Sequence, residues 1–135
     1  MILMMDAIML DGITLAYLGD SVMELFVRKR LVENGFSGSR DLNAAAQAIV
    51  NAGAQAEAFR RVEASLTDEE TEIFKRGRNS GHLNFPKHAK MSDYRTATGF
   101  EAVFGYLSLK NDDARIDELL NRALIIPSVN GGKNA

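Results

Sequence analysis

The chain has no cysteine. That excludes a disulfide scaffold and thiol catalysis, and it fits a reducing compartment, so a cytoplasmic location is expected. No apolar run is long enough to span a membrane. The first ten residues are apolar, yet they lack a basic start and contain Asp6, which makes them a poor signal peptide. Period-two alternation is almost absent, so strands are not expected. No internal repeat and no linker divides the chain, and no Ser–His–Asp or Cys–His arrangement stands out as a nucleophilic centre. At 135 residues the length suits one domain, and a domain this small gains from dimerisation.

What remains reads as helices. Asp11 is a plausible N-cap for a first long helix, which the Asn34-Gly35 pair ends. Residues 36–40 read as a turn. Residues 41–64, rich in alanine, read as one helix whose apolar stripe is Leu42, Ala45, Ile49, Ala52, Ala56 and Phe59. Thr67 and Glu70 form a capping box that opens a third helix through Phe74. Residues 77–91 hold two glycines and a proline and read as irregular. Ser92 is expected to cap the next helix, residues 111–113 break it, and a last helix runs to Leu124. Beyond it, Pro127 and the Gly131-Gly132 pair suggest a frayed tail. The expected organisation is therefore an all-α domain over residues 1–124 and a flexible tail over 125–135.

Two helices carry acids where acids are costly. Residues 13–25, ITLAYLGDSVMEL, are apolar on most sides, with Leu15, Leu18, Val22, Leu25 and Phe26 as the expected core stripe and Asp20 opposite. Gly19 precedes Asp20. A glycine inside a helix costs about 1 kcal/mol relative to alanine, so close approach by another segment is the expected reason for it. Residues 98–109, TGFEAVFGYLSL, form a second apolar helix whose interior acid, Glu101, is surrounded by Ala97, Thr98, Gly105 and Ser108. These small residues would let the two helices pack closely and bring Asp20 and Glu101 face to face. Two such carboxylates repel unless one is protonated or a divalent cation lies between them. Oxygen-only ligation points to magnesium, with manganese as a substitute. Taken singly, each acid reads more simply as capped or salt-bridged. Glu24, one turn beyond Asp20, either supports the metal site or pairs with Arg28 at i+4, and the pairing is favoured.

The net charge of −2 hides a concentration. From residue 75 to 95 there are six Lys or Arg (75, 76, 78, 87, 90 and 95) against Asp93, a net +5, which leaves −7 on the rest of the chain. His82 and His88 lie in the same segment. Such a patch on an acidic body suits a polyanion, while a merely solvated loop is an equal reading of the charge alone.

The LAYLGDSVMEL stretch resembles the signature helix of the ribonuclease III family, and TGFEAVFGYL resembles that family's second acidic helix. The likeness is closer still to the Mini-III branch, in which a catalytic domain stands alone without a double-stranded-RNA-binding domain. Arg76-Gly77-Arg78-Asn79, Pro86-Lys87 and Tyr94-Arg95 share in it, and it runs from about Leu10 to Leu120. The wider family has four central acids. Two are kept as Asp20 and Glu101, and the other two positions fall on Ala16 and Thr98, as in Mini-III members. Gly53 stands where those relatives carry a basic residue.

The resemblance implies an all-α ribonuclease III-type fold, a two-fold homodimer with Tyr17 inserted into the partner, and a magnesium-dependent endoribonuclease acting on double-stranded RNA. Asp20 and Glu101 would be the catalytic, metal-holding residues. Arg76, Arg78, Asn79, Lys87, Lys90 and Arg95 would contact RNA, with His82 and His88 more suited to RNA contact or solvation than to proton transfer. Ribosomal RNA precursor is the implied substrate. A core tyrosine with a satisfied hydroxyl is a nearly equal reading of Tyr17. Two rivals stand beside this expectation: a catalytically inactive RNA-binding protein of the same fold, and an all-α dimerisation module without a nucleic-acid role.

Overall fold

The computed structural model describes residues 4–80 and 90–130. Among these residues every regular element is helical: α1 (Met4–Ala7), α2 (Gly12–Glu33), α3 (Ser39–Val50), α4 (Ala52–Val62) with a short 3-10 turn (Glu63–Ser65), α5 (Asp68–Arg78), α6 (Met91–Leu109) and α7 (Asp113–Ala123). No helix among them is long and apolar enough to cross a membrane.

Helix α6 is the centre of the fold, packed along α2 on one side and against α5 and α4 on others. Its core face is aromatic. Phe100 meets Phe59 and Phe104 edge-on at 5.6 and 4.8 Å, and Phe59 stacks on Phe74 at 4.0 Å. This cluster ties α4, α5 and α6 together through the large apolar area that aromatic side chains bury.

Several helix ends follow from their capping residues. Asp11 accepts from Thr14 N at 2.7 Å, and Thr67 and Glu70 form the reciprocal capping box. Asn34 ends α2, and Gly35 follows at φ 97°.

Five expectations change. The single helix over residues 41–64 is two helices, because Asn51 adopts an extended conformation (φ −65°, ψ 161°). Its Oδ1 accepts from Ala54 N at 2.9 Å, and its Nδ2 donates to Gln47 O at 3.1 Å, so one side chain closes α3 and opens α4. Helix α5 runs past Phe74 to Arg78, and α6 begins at Met91 with Lys90 as an N-cap lacking any side-chain bond, not at Ser92. The buried face of α2 is Gly12, Leu15, Ala16, Gly19, Met23, Val27 and Leu31. Leu25 is exposed, because the small residues that admit α6 set the face, not the bulkiest ones. Finally, the chain beyond Leu124 is docked as far as it is described. Ile126 is buried, Val129 N donates to Asn34 O at 3.1 Å, and Asn34 Nδ2 donates to Pro127 O at 3.1 Å.

Candidate active site

The site begins as a backbone contact. A Cβ added at Gly19 would sit 1.6 Å from the carbonyl oxygen of Glu101, and one at Gly105 would sit 1.9 Å from that of Leu15. The two glycines therefore let α2 and α6 touch main chain to main chain, which no larger residue permits. Since Gly19 rests on Glu101, the next residue along α2, Asp20, emerges beside the Glu101 side chain. Ala16 and Thr98 are buried near the same crossing, and Thr98 Oγ1 donates to Tyr94 O at 3.0 Å.

Glu101 is half-buried and Asp20 is exposed, so only one of the two carboxyls is drawn out of water. Burial, then the adjoining Asp20 carboxyl as hydrogen-bond partner and charge, push the Glu101 pKa up to about 8. The Gln55 amide opposes that shift, and the charge of Glu24 adds to it. Glu24 itself accepts from Arg28 Nε and Nη2 at 3.1 and 3.0 Å, the favoured pairing.

Gln55 is a member of the site that the sequence does not announce. It stands in the first turns of α4, on the face turned toward α6, and is 3% exposed. Its Nε2 donates to Val50 O at 2.8 Å and to Glu101 Oε2 at 3.4 Å. The Val50 carbonyl can only accept, so the NH2 end must face it. The other end, Oε1, is buried with no hydrogen-bond partner among the described residues. An orphaned acceptor of that kind costs about 1–3 kcal/mol. The one signal in the sequence is a glutamine within an apolar stripe, between Ala52 and Phe59.

A groove of about 520 Å³ opens beside the pair, lined among others by Asn51, Gly53, Gln55, Tyr94, Thr98 and Glu101. Gly53 has room for a side chain, since an added Cβ would make only ordinary contacts at 3.5 Å and beyond.

The basic residues divide. Arg76 turns inward, its Nη1 donating to the carbonyls of Leu10, at 2.9 Å, and Ile8. That guanidinium tethers the N-terminal segment, an arrangement at odds with the RNA contact expected of it. Arg78 lies over the Phe74 ring at 5.6 Å and donates to Asn79 Oδ1 at 3.1 Å. Asn79, Lys90 and Arg95 are exposed. Lys87, His82 and His88 fall outside the described residues. Tyr17 is 85% exposed, with Ile13 exposed one turn before it, so it is not a core tyrosine in this chain.

Among the described residues no three His, Cys, Asp or Glu side chains converge to hold an ion. The Asp20–Glu101 pair offers two carboxylates, and one or two carboxylates with several retained waters are what could hold magnesium.

Three comparisons bear on this geometry. Residues 13–112 match the model of the Ribonuclease III domain. The Mini-ribonuclease 3 of Symbiobacterium thermophilum is 42% identical over 114 residues, 84% of this chain and 88% of that protein. The Mini-ribonuclease 3 of Enterococcus faecalis is 41% identical over 120 residues, 87% of this chain and 91% of that protein. A crystal structure of a Fusobacterium nucleatum protein superposes with a TM-score of 0.76 at 32% identity, covering 82% of this chain and 90% of that one.

Proposed function

The chain belongs to the ribonuclease III family, in its Mini-ribonuclease 3 branch, and from that premise we propose that it is a magnesium-dependent endoribonuclease that cuts double-stranded RNA. The observation that carries the reading is the Asp20–Glu101 pair, side by side, where burial and the Asp20 and Glu24 carboxyls oppose the Glu101 charge and the neutral Gln55 amide favours it. Elsewhere in this molecule a buried acid, Glu70, is matched by an arginine. Here the repulsion is relieved either by a proton on Glu101 or by a cation from outside the chain, and we take the cation to be the working state.

The residues fit a divalent cation. Two oxygen donors stand together, Glu101 among the residues lining an open groove, and the orphaned Gln55 Oε1 marks a polar environment that the described residues leave unsatisfied. Asp20 and Glu101 would hold Mg²⁺, with Mn²⁺ as a substitute. When bound, such a cation polarises a phosphoryl oxygen and lowers the pKa of a coordinated water, which is what phosphodiester hydrolysis needs. The chain's own contribution is position. The glycine contact between α2 and α6 fixes the spacing of the two carboxyls, and Glu24 is held off by Arg28.

Substrate and assembly follow the same reading. A-form RNA presents phosphates and 2′-hydroxyls across a wide minor groove, which a protein reads by shape. Arg78, Asn79, Lys90 and Arg95, with Lys87, would meet that backbone. Arg76 is assigned to the fold instead. A two-fold homodimer with Tyr17 at its centre would set one centre against each strand. One catalytic domain that includes the docked segment after Leu124, working in the cytoplasm on structured RNA such as ribosomal RNA precursor, completes the proposal.

The test is incubation of purified protein with a duplex RNA and its separate strands, with Mg²⁺ and with chelator. The expected result is cleavage of the duplex alone, only with Mg²⁺, leaving 5′-phosphate ends. Binding of the duplex without cleavage would assign the chain to RNA binding only.

A further inference from the structure

We propose that Gln55 is a positioning residue for the catalytic centre: its buried amide holds the Glu101 carboxylate in the orientation in which it and Asp20 take up the divalent cation. The inference rests on the cation reading above and adds a residue to it.

Three observations carry it. Gln55 is 3% exposed, so its amide cannot be a solubility feature. Its hydrogen-bond arrangement is lopsided: Nε2 serves two acceptors, Val50 O and Glu101 Oε2, while Oε1 has no partner among the described residues. A methionine or leucine would fill the same space without an orphaned acceptor, so the amide brings a cost that packing does not explain. What it provides is one fixed donor to one oxygen of Glu101. With that oxygen engaged from the α4 side, rotation of the carboxyl is restricted beside Asp20.

The third observation is how Gln55 is placed. The carbonyl that anchors its Nε2 belongs to the last residue of α3, across the break at Asn51. A continuous helix would bond that carbonyl to its own backbone. The break frees Val50 O to grip the amide, which locks the Gln55 side chain before any ion arrives. Partners of metal-ligating side chains act in this way, and removing one typically weakens metal affinity by about 10–100-fold.

The experiment is direct Mn²⁺ binding to the RNA-free protein, read from the electron paramagnetic resonance of the free ion. Wild type, Gln55→Met, Gln55→Leu and Asp20→Asn are compared, with circular dichroism as the check on fold. Gln55→Met should raise the Kd for Mn²⁺ by about tenfold or more. It should also lower kcat on duplex RNA with little change in KM, and excess Mn²⁺ should recover much of the missing rate. A merely structural glutamine would change stability and leave the Mn²⁺ Kd where it was, which overturns the proposal. Should both substitutions fail to fold, the Gln55 side-chain NH2 resonances of the wild type carry the test. They should shift saturably as Mg²⁺ is added, and resonances that stay put overturn it. Failure of the cation reading looks different, because wild type itself would then take up no Mn²⁺, and both proposals fall together.

Discussion

Two glutamates drawn out of water in this domain behave in opposite ways. Glu70, 4% exposed, accepts Arg115 Nε and Nη2 at 2.9 and 2.8 Å and Thr67 N at 2.9 Å. Burial works against its charge, but the bidentate guanidinium and the cap outweigh burial and hold the carboxyl below its usual range. At Glu101 burial raises the pKa most, the Asp20 carboxyl adds to it where Glu70 has a guanidinium, and the value goes up to about 8. Residue type is the same and burial opposes the charge in both; the guanidinium reverses that direction at Glu70, and the second carboxyl reinforces it at Glu101. A fold that can satisfy one acid so fully has left the other unmatched at the mouth of a groove. That contrast is the physical ground for proposing the α2–α6 crossing as a site.

The comparison is broken most sharply by removing each charge in turn. Glu101→Gln, like Asp20→Asn, should abolish duplex cleavage with Mg²⁺ while melting temperature is kept or rises, because the amide keeps the shape and removes the repulsion. Turnover close to that of wild type in either variant would sink the assignment. Arg115→Ala should do the reverse. It strands Glu70 without its cation in the interior, a loss of about 3–5 kcal/mol of stability by chemical denaturation. Cleavage per folded molecule should be unchanged, since Arg115 lies on α7 and has no part in the proposed centre.

The pH dependence of stability separates the two acids again. The folded-state pKa of Glu101, about 8, lies above the ordinary value of 4.5 that the unfolded chain keeps. The unfolded chain therefore ionises this group first as pH rises. Stability is greatest below the unfolded value, falls through the window from about 4.5 to 8, and levels off above it. The total is on the order of a few kcal/mol. In chelator, Glu101→Gln should be more stable than wild type at pH 8, and the gap should close near pH 5. Glu70 has the opposite sign. Its depressed value contributes stability that is present above the unfolded pKa and is lost only as pH falls through the folded one. Urea midpoints from pH 8 down to well below 4.5 would show both, and a wild type that is most stable at pH 8 without metal would refute the Glu101 half.

Much of this is legible in the sequence, and the parts that are not have physical reasons. Asp11, Thr67 with Glu70, and Asn34 with Gly35 announce their helix ends because each signal is local. Asp20 and Glu101 are legible as a pair because a glycine stands near each, and glycines inside apolar helices imply main-chain contact. Asn51 is hard to see because the apolar stripe of α3 continues in register through Ile49, Ala52, Ala56 and Phe59. One asparagine in an alanine-rich run is a weak stop, and only its two-sided hydrogen bonding makes it a break. Gln55 is hidden for the same reason, since its anchor exists only if the helix breaks. The face of α2 misleads when side chains are ranked by bulk, because the small residues against α6 choose it. Nothing in composition distinguishes Arg76, turned onto carbonyls, from Arg95, turned to water.

Assembly tests whether exposure can carry meaning in the same way. Tyr17 is 85% exposed in the single chain, a large aromatic on the outer face of the helix that bears Asp20. If it is the centre of a two-fold contact, Tyr17→Ala should cost about 2 kcal/mol or more of association free energy. Analytical ultracentrifugation would then show a shift toward monomer, and cleavage should fall with it. A wild type that sediments as a monomer at micromolar concentration contradicts the dimer.

The smallest expected effect divides the basic residues by what they already touch. Arg76 is committed to the carbonyls of Ile8 and Leu10, so Arg76→Ala should lower the melting temperature and leave the salt dependence of RNA binding unchanged. Arg95 is exposed on the first turns of α6, and Arg78 holds its guanidinium over Phe74 at the end of α5. Removing one phosphate contact should reduce the slope of log affinity against log salt by roughly 0.9 on a B-form duplex, with RNA expected to be similar. Arg78→Ala with Arg95→Ala should thus flatten the slope by roughly twice that and weaken binding to every duplex sequence alike, since phosphates carry no base identity. Melting temperature should move little, apart from what Arg78 packing on Phe74 contributes. Filter binding across a series of salt concentrations is enough to tell. Should Arg76→Ala flatten the slope while the double variant does not, the division is reversed, and the RNA is held at the N-terminal segment instead of along α6.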